Sequence, residues 1–302
     1  YLVDVRVLQG GRHASLGPHR NRSRPMGLKF NRVFSNHSIH PFDTVEWSTR
    51  HVELKDKDGQ VIYSADVEFP TSWSDKAVTI TASKYFKIPV GSNTREYSLK
   101  QLIKRVVNTI VQWGKQEKYF DTDEDAETFD KELKWLLLHQ YFAFNSPVYF
   151  NFGLGHTNQQ AAACFILDLE DSINSMMEFQ KNQALIFKGG SGAGANLSKL
   201  RGYGEPVSGG GIASGAVSIM RGFDAWAGII RSGGVTRRAA SIYTLNVNHP
   251  DIREFITIKA EEEAKAKDLL AQGWNGDMEG PVYGRLSMQN ANLSIMVTDE
   301  FM

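Results

Sequence analysis

One thiol stands among the residues able to do redox chemistry: Cys164, within Ala162-Ala163-Cys164-Phe165-Ile166-Leu167. This apolar run reads as a buried strand. A lone cysteine there either packs as a small hydrophobe or has its redox partner elsewhere, because one cysteine makes neither an intrachain disulfide nor a cysteine-based zinc site. Further on, Arg237-Arg238 follow Gly233-Gly234. Paired guanidiniums on a flexible loop suit phosphate or base recognition, and suit a solvated turn equally well. Between these features lies Gly189-Gly190-Ser191-Gly192-Ala193-Gly194-Ala195-Asn196. It reads either as plain turns or as a glycine-rich loop that opens a helix and aims backbone N–H groups at phosphate. Neither the Gly-Lys-Ser/Thr of a phosphate-binding loop nor a dinucleotide fingerprint completes it. Fourteen of the 27 glycines fall between Gly189 and Gly234, so the stretch repeatedly gives up side chains to turn tightly or to approach a ligand.

These residues need a scaffold, and 302 residues with 41% hydrophobic content supply one large or two ordinary domains. The 34 basic residues balance the 34 acidic ones, which leaves no global field for nucleic acid. No apolar run approaches the ~18 residues of a membrane span. The expectation is a soluble, cytoplasmic protein with neither nucleic acid nor membrane as partner, the single cysteine fitting a reducing compartment. Eight histidines are scattered without an HExxH pair or an Asp-x-His-x-x-Gly stretch, so no protein-built metal site is expected.

Residues 1–25 are basic and lack apolar periodicity, reading as a disordered leader rather than a nucleic-acid-binding arm, with Met26 a candidate start. Residues 26–95 read as a β-rich module, with a hairpin from Val45 to Phe69 turning at Asp58-Gly59. Residues 96–143 read as a helical segment. Ser98 caps a helix whose Leu99, Leu102, Ile103, Val106, Val107 and Ile110 share one face, and a second helix runs from about Ala126 to Tyr141. From residue 144 to 302 strand-like runs at Ala163–Leu169 and Ser241–Val247 alternate with helical ones at Ser172–Phe187, Ala216–Arg231 and Pro250–Gln272. Pro250 is expected at the first helical position of the last helix and Gly273 at its end. The class is α/β, and the alternation alone suits a doubly wound sheet or half of a barrel.

In their order and spacing, Asn145-Ser146-Pro147-Val148-Tyr149-Phe150-Asn151, Ala163-Cys164-Phe165-Ile166, Asp171-Ser172-Ile173, Phe187-Lys188-Gly189-Gly190-Ser191-Gly192, Ser232 to Ala240, His249-Pro250-Asp251-Ile252, Gln289-Asn290-Ala291-Asn292 and Thr298-Asp299-Glu300-Phe301-Met302 resemble the adenosylcobalamin-dependent (class II) ribonucleotide reductases. The resemblance runs from about Met26 to Met302. It implies the first part of that family's ten-stranded α/β barrel, built from two five-stranded halves. It implies adenosylcobalamin as cofactor, a ribonucleoside di- or triphosphate as substrate, a deoxynucleoside triphosphate as effector, a thioredoxin-type reductant and a homodimer.

By position, the resemblance makes Cys164 one of the two thiols that reduce the substrate, with Ser146, Ala163 and Gly192 as substrate contacts. It makes Asp171, Ser172, Ile173, Lys188, Arg201 and Ser208 effector contacts. Gly234, Val235, Thr236, Arg237 and Arg238 become the loop that relays effector identity to the substrate base. The family's Asn-x-Cys-x-Glu motif and second redox cysteine do not occur here; in the family they lie downstream. The chain therefore reads as an N-terminal segment that does not turn over alone. The alternatives are a class I large-subunit fragment and a non-catalytic nucleotide-binding fragment.

Overall fold

A computed structural model describes residues 27–56, 58–155, 159–232, 237–276, 280 and 282–302, with backbone only at 231, 232, 237 and 238. The expected leader, residues 1–25, lies outside them. The chain divides into two compact units, Tyr1–Phe144 with Phe152–Asn158, and Asn145–Asn151 with Gln159–Met302.

In the first unit, β1 (Trp47–Lys55) and β2 (Val61–Pro70) form the expected antiparallel hairpin, turned by Gly59 at φ 80°. A helix not anticipated in this β-rich stretch follows, α1 (Asp75–Tyr85), capped by Ser74. The face expected from Leu99 onward is buried in α2 (Leu99–Gln116), and Ser98 forms a full capping box with Gln101. The second helix, α3, spans Asp123–Leu138 rather than starting at Ala126. A second capping box between Thr122 and Asp125 satisfies the amides of its first turn and moves its start forward. Glu96 and Arg105 make a buried bidentate pair at 2.8 and 3.1 Å. Arg105 Nη1 also donates to the Phe152 carbonyl at 2.6 Å, which holds the returning segment.

The second unit begins with the short helix α4 (Ser146–Asn151). It continues through β3 (Cys164–Ile166), α5 (Ile173–Lys188), β4 (Gly192–Asn196), α6 (Ala216–Ile229), the two-residue strands β5 (Arg231–Ser232) and β6 (Arg237–Arg238), β7 (Ser241–Asn246), α7 (Ile252–Ala271) and β8 (Ala291–Met296). Strands β3, β4, β7 and β8 pair in parallel and in that order. The order advances without reversal. Right-handed crossovers then lay every connecting helix on the same face, whereas a doubly wound sheet needs a reversal. The advancing order is the one that half of a barrel requires. The four strands are the ones described; the ten-stranded closure lies beyond what they contain.

Phe179 and Phe187 of α5, Phe223 of α6, Tyr243 and Leu245 of β7, and Phe255 and Ile258 of α7 are each 3% exposed or less and form the helix–sheet core. Each such burial contributes about 1.5–3 kcal/mol. The glycine run does not open a helix as one reading had it. Gly189 caps the end of α5, Gly190 turns at φ 89°, and Gly192 begins β4. The expected strand from Ala163 to Leu169 shrinks to three residues. Pro250 precedes the Asp251 cap of α7 instead of occupying the first turn, while Gly273 follows the helix at φ 85° as expected. No described helix is long and apolar enough to cross a membrane.

Candidate functional site

The parallel sheet has two ends, and the expected site residues divide between them. At the amino end, Cys164 and Gly192 open β3 and β4 and are register partners. The Gly192 N–H donates to the Ala163 carbonyl at 2.8 Å. Ala193 donates to the Ala240 carbonyl at 3.2 Å, and a Cβ on Gly192 would lie 3.0 Å from that same oxygen. A side chain at Gly192 would thus crowd the point where three strand entrances meet. Cys164 is exposed, which corrects the buried strand expected from its apolar neighbours. Alternation along β3 puts Cys164 on the same open face as Ile166, opposite the half-buried Phe165.

Residues that the sequence flagged only as parts of motifs hold this end in place. Asn151 Nδ2 donates to the carbonyls of Pro147 at 2.7 Å, Gly189 at 2.9 Å and Gln160 at 3.2 Å, so α4, which begins at Ser146, is tied to the turn before β4. Ser191 Oγ donates to the Ala162 carbonyl at 2.5 Å and is met by the Gln160 amide. The backbone on either side of Cys164 is therefore fixed although its thiol is open. The arginine pair enters here too, because β5 and β6 pair Arg231 with Arg238 and Ser232 with Arg237 just before β7. Gly234, Val235 and Thr236 lie outside the described residues.

At the carboxyl end, Ser172 caps α5 by accepting from Ser175 N at 3.2 Å, beside the exposed Ile173. Asp171 accepts from Arg201 Nε at 2.5 Å, and Arg201 Nη1 reaches the Pro206 carbonyl at 3.1 Å. Pro206 and Ile212 form an isolated bridge closing an exposed turn that carries Ser208. Gly209, Gly210 and Gly211 all take positive φ, at 96°, 89° and 125°. Two residues missed by the sequence reading anchor this arm. Asp251, 7% exposed, accepts from Tyr203 N at 2.8 Å and Ala216 N at 2.7 Å. His249 accepts from Asp251 N on Nδ1 at 3.1 Å, so its Nε2 is the protonated nitrogen that donates to the Leu200 carbonyl at 2.7 Å. Their only sequence signal was the string His249-Pro250-Asp251 itself.

Lys188 does not join this corner. It ends α5, 16 residues long, and is parted from Ser172 by roughly 24 Å of helix. Cys164, Gly192, Lys188 and the arginine hairpin lie at one end of the sheet; Asp171, Ser172, Ile173, Arg201 and Ser208 lie at the other. Among the described residues, no cluster of His, Cys, Asp and Glu could hold a metal ion.

Comparison with known proteins places this arrangement. The description "Ribonucleotide reductase, barrel domain" matches residues 162–302, and "Class II vitamin B12-dependent ribonucleotide reductase" matches residues 48–140. The chain is 48% identical to a vitamin B12-dependent ribonucleotide reductase of Streptomyces avermitilis, over 95% of this chain and 30% of that protein. It is 41% identical to one of Rhodopirellula baltica, over 91% of this chain and 29% of that protein. A vitamin B12-dependent ribonucleoside-diphosphate reductase of Thermoplasma acidophilum is 33% identical, over 82% of this chain and 31% of its own length. The chain thus spans about 30% of the length of these curated relatives. With both matches in the same order along the chain as its two compact units, the chain belongs to the class II, vitamin B12-dependent ribonucleotide reductase family.

Proposed function

We propose that this chain is the segment of a cytoplasmic ribonucleotide reductase that supplies one reducing thiol, part of the substrate floor and the specificity site. The observation that carries the reading is the meeting of Cys164, Gly192 and Ala240 at one end of the sheet, where an accessible thiol lies beside bare backbone and the exit of the arginine hairpin. Two-electron reduction of a ribonucleotide replaces the 2′ hydroxyl by hydrogen and oxidises two thiols to a disulfide; of the two thiol hydrogens one leaves in the water and the other ends on C2′. Cys164 gives one thiol. The second must come from outside this sequence, and a thioredoxin-type dithiol would restore the pair. Ser146, Ala163 and Gly192 take the substrate, a ribonucleoside di- or triphosphate.

The effector, a deoxynucleoside triphosphate, is assigned to the opposite corner. There Asp171 can accept from a sugar hydroxyl, and the Arg201 guanidinium and the start of α5 favour phosphate. A homodimer accords with Ile173, Met177 and Leu185 of α5 and Trp226 and Ile229 of α6, all half or more exposed. If two copies of α5 pair antiparallel, Lys188 of one chain comes to the Asp171 corner of the other. This would reconcile two halves of an effector site that a single chain holds apart.

Adenosylcobalamin is the cofactor read for the whole protein, after the names of its relatives. Its cobalt comes already held by the corrin ring, so the cofactor asks for no protein-built donor set, and the described residues assemble none. In the full-length protein, Cys164→Ser is expected to abolish dithiol-driven multiple turnover while effector binding persists. Sustained turnover by that variant at the wild-type rate would overturn the reading.

A further inference from the structure

The excursion that carries the arginine pair leaves α6 at Ile230 and rejoins the sheet at Ser241, and one residue holds both flanks. The Asn290 N–H donates to Asp224 Oδ1 at 2.9 Å, and Asn290 Nδ2 donates to the Asp224 carbonyl at 3.2 Å. The Asn290 carbonyl accepts from Ser241 N at 2.9 Å. Asp224, in the second half of α6, is 2% exposed. Its carboxylate faces the backbone N–H groups of Met288, Gln289 and Asn290, a concavity made by Met288 at φ 61°. One turn further along α6, Gly228 leaves room for the contact, because a Cβ there would lie 3.2 Å from Asn290 Nδ2.

The hairpin cannot hold itself in place. Its ladder is two residues long on each side, well short of what stabilises an isolated hairpin. Its position is therefore set by its flanks. One flank is Ala240, bound to Ala193 beside Gly192; the other is the C-terminal half of α6. A buried carboxylate matched to several backbone donors is costly to displace, so the joint at Asn290 is stiff.

We propose that Asp224 and Asn290 form a clamp that sets the placement of the arginine hairpin over the Cys164 end of the sheet, making them positioning residues for substrate selection. The inference rests on the reading of 234–240 as the specificity loop. The Asp224 side chain is engaged by the 288–290 turn.

The test uses the full-length protein and competitive turnover of the four ribonucleotides with each effector. Asn290→Ala removes the Nδ2 donor and keeps the backbone bonds. It is expected to lower effector-dependent preference about fivefold or more, beyond any fall in kcat on the preferred substrate, and to speed hydrogen exchange at 239–242 but not in α2. Asp224→Asn should act in the same direction, and if it fails to fold, Asn290→Ala decides. A double variant, Arg237→Ala with Arg238→Ala, tests the underlying reading separately. If that double variant keeps wild-type preference, the specificity-loop reading fails. If it loses preference while Asn290→Ala keeps it, the clamp is overturned, whatever exchange shows.

Discussion

Arg201 joins the start of α5 to the base of the 206–212 arm: its Nε is bound to Asp171 at 2.5 Å and its Nη1 to the Pro206 carbonyl at 3.1 Å. The two side chains are 35% and 25% exposed, so solvent screens their attraction and the pair itself contributes about 0.2–1 kcal/mol. Its consequence is geometric. The Arg201 guanidinium is held in orientation by a carboxylate, as the proposed effector site would need for a phosphate.

Asp171→Ala in the full-length protein is accordingly expected to weaken deoxynucleotide binding by about 1.5–3 kcal/mol, the range for a charge-assisted hydrogen bond. Calorimetry on a folded, assembled variant checks this. Unchanged affinity would take Asp171 out of the site.

The exposed Cys164 thiol should titrate fully with Ellman's reagent in the folded chain, one equivalent per chain and without a denaturant, as expected for an accessible cysteine. Reaction only after unfolding would restore the buried placement suggested by its neighbours.

Gly192→Ala puts a methyl group 3.0 Å from the Ala240 carbonyl oxygen. Because the obstacle is backbone on an adjoining strand, the variant is expected to lose about 1–3 kcal/mol and to loosen the flank of the arginine hairpin. Thermal melts together with hydrogen exchange at 239–242 read both effects; an unchanged melt with unchanged exchange would refute the close approach.

Asp251→Ala leaves the buried N–H groups of Tyr203 and Ala216 without their acceptor. A loss of about 1–3 kcal/mol per unsatisfied group is expected, with faster proteolysis confined to residues 203–215. Uniform loosening of the whole chain would point to a general core role for this carboxylate.

Tyr243 is fully buried, and burial is the main cause of its hydroxyl being pushed up from 10 to about 12, with hydrogen bonds to Ser241 and Gln183 pulling the other way. Between pH 10 and 12 the unfolded chain releases this proton while the folded chain keeps it. Its contribution is thus fully present below pH 10 and is lost as pH rises toward 12, at about 1.4 kcal/mol per pH unit. Tyr243→Phe should lower stability at neutral pH, since Gln183 loses a 2.7 Å partner, and should flatten the alkaline decline. Urea melts from pH 9 to 11.5 measure the slope; equal slopes for both proteins would contradict the shift.

What the sequence by itself determined is local. Ser98 and Gln101 lie three residues apart, and the apolar face from Leu99 to Val107 repeats at helical spacing, so α2 was legible because capping and amphipathicity act within one or two turns. The hairpin at β1 and β2 was legible for the same reason, its register closing around Asp58-Gly59. Order and spacing of the strings from Asn145 to Met302 pointed to the family before any contact was known. The tertiary structure decided what depends on distant neighbours. Cys164 is exposed because it shares with Ile166 the face of β3 that the described elements leave open, which its own sequence does not encode. Asp171 and Lys188 look close at 17 residues, but α5 turns that separation into roughly 24 Å. Asp224 and Asn290, 66 residues apart, meet because consecutive parallel strands carry each crossover helix to one face of the sheet. Such partnerships are set by topology, and side-chain chemistry specifies them only once the chain has been brought around.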